Sequence, residues 1–170
     1  VPTIWKMLLE ALEMPELAGV DLSSVRALFS GGAPLPTWLA EAYQRRGLTF
    51  KQGFGMTEVG VNCFAMSDEA SVSKRGSIGV PMMHTEVRLV DAEGRDVAPG
   101  EVGEMWFRGP PPPRGDWTRP AAPAEPRGGA GAEGGWFRSG DLARRDDEGY
   151  HYVAGRAKEM FISGGVKSGR

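Results

Sequence analysis

The 170 residues suit one domain or one and a half. Apolar residues at 41% and charged residues at 25% match an ordinary soluble globular protein, and a formal charge of −2 leaves no electrostatic footprint for nucleic acid. The single cysteine, Cys63, excludes an internal disulfide and points to a cytoplasmic compartment, and no apolar run approaches the ~18 residues of a membrane span.

In chain order, Thr3 to Met14 reads as a helix with Thr3 as its cap and Ile4, Leu8, Ala11 and Leu12 on its inward stripe. Pro15 and Gly19 end it. A buried-strand pattern, Val25 to Ser30, runs straight into Gly31-Gly32-Ala33-Pro34. A second helix is expected from Pro36 or Thr37, turning Trp38, Leu39, Ala42 and Tyr43 inward and stopping at Gly47. Leu48 to Gln52 is the next strand and again meets glycine, at Gly53-Phe54-Gly55. Parallel strands with a crossover helix give this order, and ligands of such sheets sit beyond the strand carboxyl ends, where both glycine loops lie.

Past residue 75 the period changes. Thr85 to Val90 alternates, with Val87 and Leu89 on one face; Asp91 to Gly94 turns, and Pro99-Gly100 turns again into Val102 to Phe107. Asp146 to Gly149 joins Leu142-Ala143-Arg144 to Tyr150-His151-Tyr152-Val153 as a hairpin. A small antiparallel sheet or barrel is the expected result. The 25 glycines and 13 prolines are about twice the usual share, concentrated in residues 109–135, which read as a loop or disordered insertion.

Both glycine loops could bring backbone N–H groups up to an anion or a flat ring. Thr57 offers a hydroxyl to a phosphate oxygen, and Glu58 a hard carboxylate suited to Mg²⁺. The plainer alternative is two tight strand-to-helix turns carrying a surface Thr–Glu pair. Gly53-x-Gly55 lacks the third glycine of a dinucleotide fingerprint, and Gly165-Val166-Lys167-Ser168 lacks the glycine that a Walker loop needs before lysine. Asp141 could accept from two ribose hydroxyls or simply cap a turn. His84 and His151 have no partner at metal-ligand spacing, and Trp5, Trp38, Trp106, Trp117 and Trp136 read as core or loop anchors.

Five segments in series resemble the adenylate-forming acyl-CoA synthetases: Ser30 to Pro36, Gly53 to Glu58, Gly103 to Gly109, Trp136 to Asp141 and Gly155 to Gly165. The resemblance implies that a carboxylate attacks the α-phosphorus of ATP·Mg²⁺ and that coenzyme A then takes the acyl group. It places Gly31, Gly32, Ala33 and Pro34 beside the adenine and acyl pocket, within a cofactor-binding set that also takes in Gly53, Gly55 and Met56. It sets Phe54 against the adenine (many relatives carry tyrosine), Thr57 on the α-phosphate and Glu58 on Mg²⁺. Asp141 would hold the ribose with help from Arg156. Lys158 falls at the hinge of the small carboxy-terminal domain, and Gly164 and Gly165 border the pantetheine channel.

The implied fold is an α/β segment over 1–74, a β-barrel subdomain over 75–154 and a hinge with the start of a further domain over 155–170. The family's Pro-Lys-Gly phosphate loop and its adenylation lysine are not found in the sequence, and Lys167 lies too near the hinge to replace the latter. The expectation is therefore an internal fragment of a ligase for a fatty or aryl acid, inactive by itself. An amino-acid-adenylating domain of a peptide synthetase and a non-catalytic remnant are the rival readings.

Overall fold

A computed structural model describes residues 1–17, 19–60, 63–109, 135–157, 160–163 and 166–169, the last two segments by backbone alone. The insertion over 110–134, Lys158, Gly164 and Gly165 lie outside the described residues, as does Trp117.

Helix α1 spans Pro2–Leu12 with Val1 at its N-cap, so Thr3 lies inside the helix and caps nothing. Proline at the first helical position suits the start, where an amide has no partner to lose. The inward stripe is shifted by one residue from the expected one. Leu9 is buried and Trp5 and Leu12 are half-buried, while Ile4 is 61% exposed and Leu8 also faces outward. Both flanks of the helix are apolar, so periodicity alone does not choose between them.

Strand β1 (Leu28–Ser30), helix α2 (Thr37–Gln44) and strand β2 (Phe50–Gln52) follow in the expected order. The strands pair in parallel, Leu28 with Phe50 and Ser30 with Gln52. On α2, Leu39, Ala42 and Tyr43 are buried as expected, but Trp38 is 52% exposed and points away from the core. Gly47 leaves the helix end at φ +77°, a backbone state open to glycine at little cost.

Trp5, Tyr43 and Phe50 meet edge to face with centroids 5.0–6.1 Å apart, and the Tyr43 hydroxyl donates to the Trp5 carbonyl at 2.8 Å. With Leu9, Leu28, Leu39, Ala42 and Leu48 they form the first hydrophobic cluster.

The second glycine loop does not lead into a helix. It closes as a tight turn, Met56 bridging Gly60, and continues to β3 (Phe64–Ala65), α3 (Asp68–Ser73) and β4 (Val80–Pro81), which pairs back on β3. Gly79 sits at φ +103°, and a Cβ there would meet the Ala65 carbonyl oxygen at 2.2 Å, so only glycine fits.

Strands β5 (Glu86–Val90), β6 (Val102–Arg108), β7 (Phe137–Arg145) and β8 (His151–Arg156) form an antiparallel sheet in that order. Among the described residues this sheet is open, not a closed barrel. A backbone pair, β9 (Met160–Ser163) with β10 (Val166–Gly169), follows. Phe64, Ile78, Leu89, Met105, Phe107, Phe137 and Ala143 build the second cluster, against which Phe54, Met56 and Val87 pack. Salt bridges from Lys51 to Asp68 and from Arg75 to Glu41 tie the two parts together. Among the described residues no helix is long and apolar enough to cross a membrane.

Candidate functional site

The two parallel strands end level with one another, so the loops that leave them are forced into contact. Gly53 N–H donates to the Ser30 carbonyl at 2.8 Å, and a Cβ on Gly31 would stand 3.2 Å from the Gly53 oxygen. Glycine at 31 thus leaves room for the Gly53 carbonyl, which a side chain there would crowd. Gly32 takes φ +80° and turns the chain toward Ala33 and Pro34. The Gln52 side chain accepts from Leu35 N–H at 3.1 Å, fastening the first loop to the end of β2. Gln52 and the buried Ser30, whose hydroxyl has no hydrogen-bond partner among the described residues, belong to this junction and were not singled out from the sequence.

From there Phe54 descends into the second cluster. Its ring lies parallel to Phe107 at 5.9 Å and edge-on to Phe64 at 5.9 Å, which fixes the loop to β6 and β3. Cys63 N–H donates to the Phe54 carbonyl at 3.1 Å, and burial raises the Cys63 thiol above its ordinary range. The turn closed by Met56 and Gly60 leaves Thr57 and Glu58 exposed at its tip. Gly53, Gly55 and Met56 are half-buried beneath that tip.

Asp141 does not start a strand. It sits inside β7, where the register with β6 breaks: Glu104 pairs with Leu142 but Trp106 pairs with Arg138, so Met105 alone faces Ser139, Gly140 and Asp141. Such a bulge re-aims the residues it contains. Ser139 Oγ donates to the Met105 carbonyl at 2.7 Å and accepts from Asp141 N–H at 3.0 Å, and Gly140 takes φ +70°. Asp141 is 3% exposed and is paired across the strands with Arg156, Nε to Oδ1 at 2.6 Å and Nη2 to Oδ2 at 3.3 Å.

The sequence-predicted residues therefore fall into two groups. Gly31, Gly32, Ala33, Pro34, Gly53, Phe54, Gly55, Met56, Thr57 and Glu58 share the adjoining loops, while Asp141 and Arg156 form a pair on β7 and β8. Phe107, under the Phe54 ring, lies two residues along β6 from Met105 at the bulge, and both belong to one cluster. Glu104 was also missed as a site residue. Its carboxylate, 15% exposed, accepts from Trp106 Nε1 at 3.1 Å, Arg138 Nη2 at 2.9 Å and Gly140 N–H at 3.1 Å. Burial pushes its acidity down, but those donors and the Arg138 charge outweigh burial and hold its pKa below the ordinary range.

Such an arrangement offers backbone amides and an exposed hydroxyl–carboxylate pair at strand carboxyl ends, the place where α/β sheets bind ligands. A lone carboxylate suits Mg²⁺, which keeps several waters and takes further ligands from substrate phosphates. Among the described residues no group of three or more His, Cys, Asp or Glu could cage a metal.

Comparison with known proteins gives the same direction. The profile described as "AMP-binding enzyme" matches residues 1–115. A feruloyl-CoA synthase of an Amycolatopsis species is 44% identical over 97% of this chain and 32% of its own length. A 2-succinylbenzoate–CoA ligase of Geobacillus kaustophilus is 36% identical over 82% of this chain and 27% of its own. The O-succinylbenzoate coenzyme A synthetase of Bacillus subtilis, solved with ATP and a magnesium ion, superposes with a TM-score of 0.75 at 32% identity, over 97% of this chain and 32% of that one. The chain thus spans about a third of the length of the relatives it matches.

Proposed function

Because the chain belongs to the AMP-binding enzyme family, we propose that it supplies the nucleotide cradle of a carboxylate–coenzyme A ligase acting on an aryl acid. In that reaction a carboxylate oxygen bonds to the α-phosphorus of ATP as the bond to the β-phosphate oxygen breaks, releasing pyrophosphate. The thiol of coenzyme A then loses its proton and bonds to the acyl carbon, and AMP leaves. The observation that carries the reading is the abutment of the two glycine loops at the level ends of β1 and β2.

In this reading Gly31 to Pro34 border the adenine and the acyl group, and Phe54, anchored by Phe107, stacks on the base. Thr57 donates its hydroxyl to the α-phosphate, placing the phosphorus in line with the attacking carboxylate. Glu58 holds Mg²⁺, which when bound neutralises charge on the phosphates. Asp141 accepts from the ribose hydroxyls. Since it is buried and paired, Arg156 must first rotate off one carboxylate oxygen, and its guanidinium then donates to the same ribose. Lys158, Gly164 and Gly165 keep their hinge and pantetheine roles by resemblance alone. The 170 residues by themselves are expected to bind nucleotide without turnover, the remaining catalytic groups coming from the other two-thirds of a ligase of the relatives' length.

The aryl preference draws on the names of the relatives above. Acid-dependent ATP–pyrophosphate exchange by the whole protein that carries this chain tests it, with ferulate, 2-succinylbenzoate, a medium-chain fatty acid and an amino acid compared. Exchange should depend on an aryl acid and fall about 100-fold in Glu58→Gln with the fold unchanged. Exchange driven only by an amino acid would contradict the reading.

A further inference from the structure

The bulge that carries Asp141 is an irregularity that needs its own support, and the support comes from one side chain on the neighbouring strand. Three residues of β7 are spread over a single residue of β6, so the Gly140 amide loses its regular place in the ladder. Its hydrogen bond goes instead to Glu104 Oε1 at 3.1 Å, with the chain at φ +70°. The other carboxylate oxygen of Glu104 is gripped by Trp106 Nε1 and by both Arg138 Nε, at 3.3 Å, and Nη2, at 2.9 Å. Arg138 in turn lies over the Trp106 ring at 5.1 Å. Glu104 is therefore a fixed acceptor, held from one side and presented to the bulge on the other. Across the bulge Ala157 N–H donates to the Gly140 carbonyl at 2.9 Å, so both peptide groups flanking Gly140 are pinned.

We propose that Glu104 is a positioning residue for nucleotide binding: it fixes the Gly140 peptide so that Asp141 stands where the ribose hydroxyls of the nucleotide reach it. The inference rests on the proposed nucleotide site and deepens it. Glu104 itself touches no ligand. Its contribution appears only in contacts made to the ribose, which separates it from a residue that merely holds the sheet together.

The test compares AMP with 2′,3′-dideoxy-AMP, by calorimetric titration onto the whole protein that carries this chain and onto its variants. The native chain should prefer AMP, and Asp141→Asn should erase that preference. Glu104→Gln turns an amide N–H₂ toward the Trp106 and Arg138 donors or toward Gly140. It should lower the AMP preference about tenfold, the worth of one hydrogen bond to an ionised group, while leaving dideoxy-AMP affinity unchanged. Glu104→Asp keeps the charge, withdraws the carboxylate by one methylene and serves if the glutamine variant does not fold; it should lower the preference in the same sense. In the double variant with Asp141→Asn, a Glu104 substitution should have no further effect on the ratio. A native AMP preference lost in Asp141→Asn but intact in both Glu104 variants would overturn the inference and leave the nucleotide reading standing. Equal loss of both ligands would also overturn it, as a general structural effect. If the native chain does not distinguish the two nucleotides, the ribose assignment of Asp141 fails and this inference fails with it.

Discussion

Buried polar side chains separate residues that serve the fold from those offered to a ligand. His151 is 2% exposed, packs on the Phe64 ring at 5.2 Å, and its Nδ1 has no hydrogen-bond partner among the described residues. Burial chiefly, with help from the Arg145 charge, lowers its pKa below the ordinary 6.5, against the opposing pull of the Gly149 and Gly79 carbonyls and Asp146. The unfolded chain therefore binds the proton at a higher pH than the folded chain does. Folding stability should be flat above about pH 6.5 as far as this group is concerned, and should decline as pH falls below it. His151→Leu should shallow that acid limb when denaturant midpoints are compared across pH, whatever its effect at pH 7. An unchanged pH profile would mean that the imidazole takes up its proton at the same pH in the fold as in the unfolded chain. Thr57 and Glu58 are the opposite case: exposed at a turn tip, they are free to change without cost to the core.

At the scale of elements, the parts set by local chemistry were the legible ones. Glycine after each apolar strand announced the loops after β1 and β2, and the Asp146 to Gly149 turn announced the β7–β8 hairpin. The inward face of α1 was not legible, because Ile4 and Leu8 are as apolar as Trp5 and Leu9 and the partner that chooses between them is distant in sequence. Trp38 misled for the same reason. Glu104 was invisible because its role arises from a register shift between β6 and β7, which no short window of sequence contains. The junction that does choose the face of α1 is the Tyr43 hydroxyl on the Trp5 carbonyl, within the Trp5–Tyr43–Phe50 triad. Tyr43→Phe should cost about 1 kcal/mol by urea unfolding with an unaltered m value. A loss below a few tenths would mean that aromatic packing alone seats α1.

At the scale of the whole molecule, the described residues form two hydrophobic clusters joined along the chain by the second glycine loop. One, built from α1, α2, β1 and β2, carries the strand ends; the other, under the antiparallel sheet, anchors Phe54 and carries the Asp141 bulge. The first part also turns Ile4, Met7, Leu8 and Phe29 outward. Parallel strands are ordinarily covered on both faces, which agrees with a chain spanning a third of its relatives' length. These loops and the bulge together make up the proposed AMP site. Thermal unfolding of the 170-residue chain against rising AMP is the most direct measurement, because a ligand that binds only the folded state stabilises it by mass action, by about 2.7 kcal/mol at a hundredfold excess over the dissociation constant, and so raises the midpoint. The midpoint should climb with AMP and barely move with orthophosphate at matched ionic strength. A midpoint indifferent to AMP, or raised equally by orthophosphate, would contradict it.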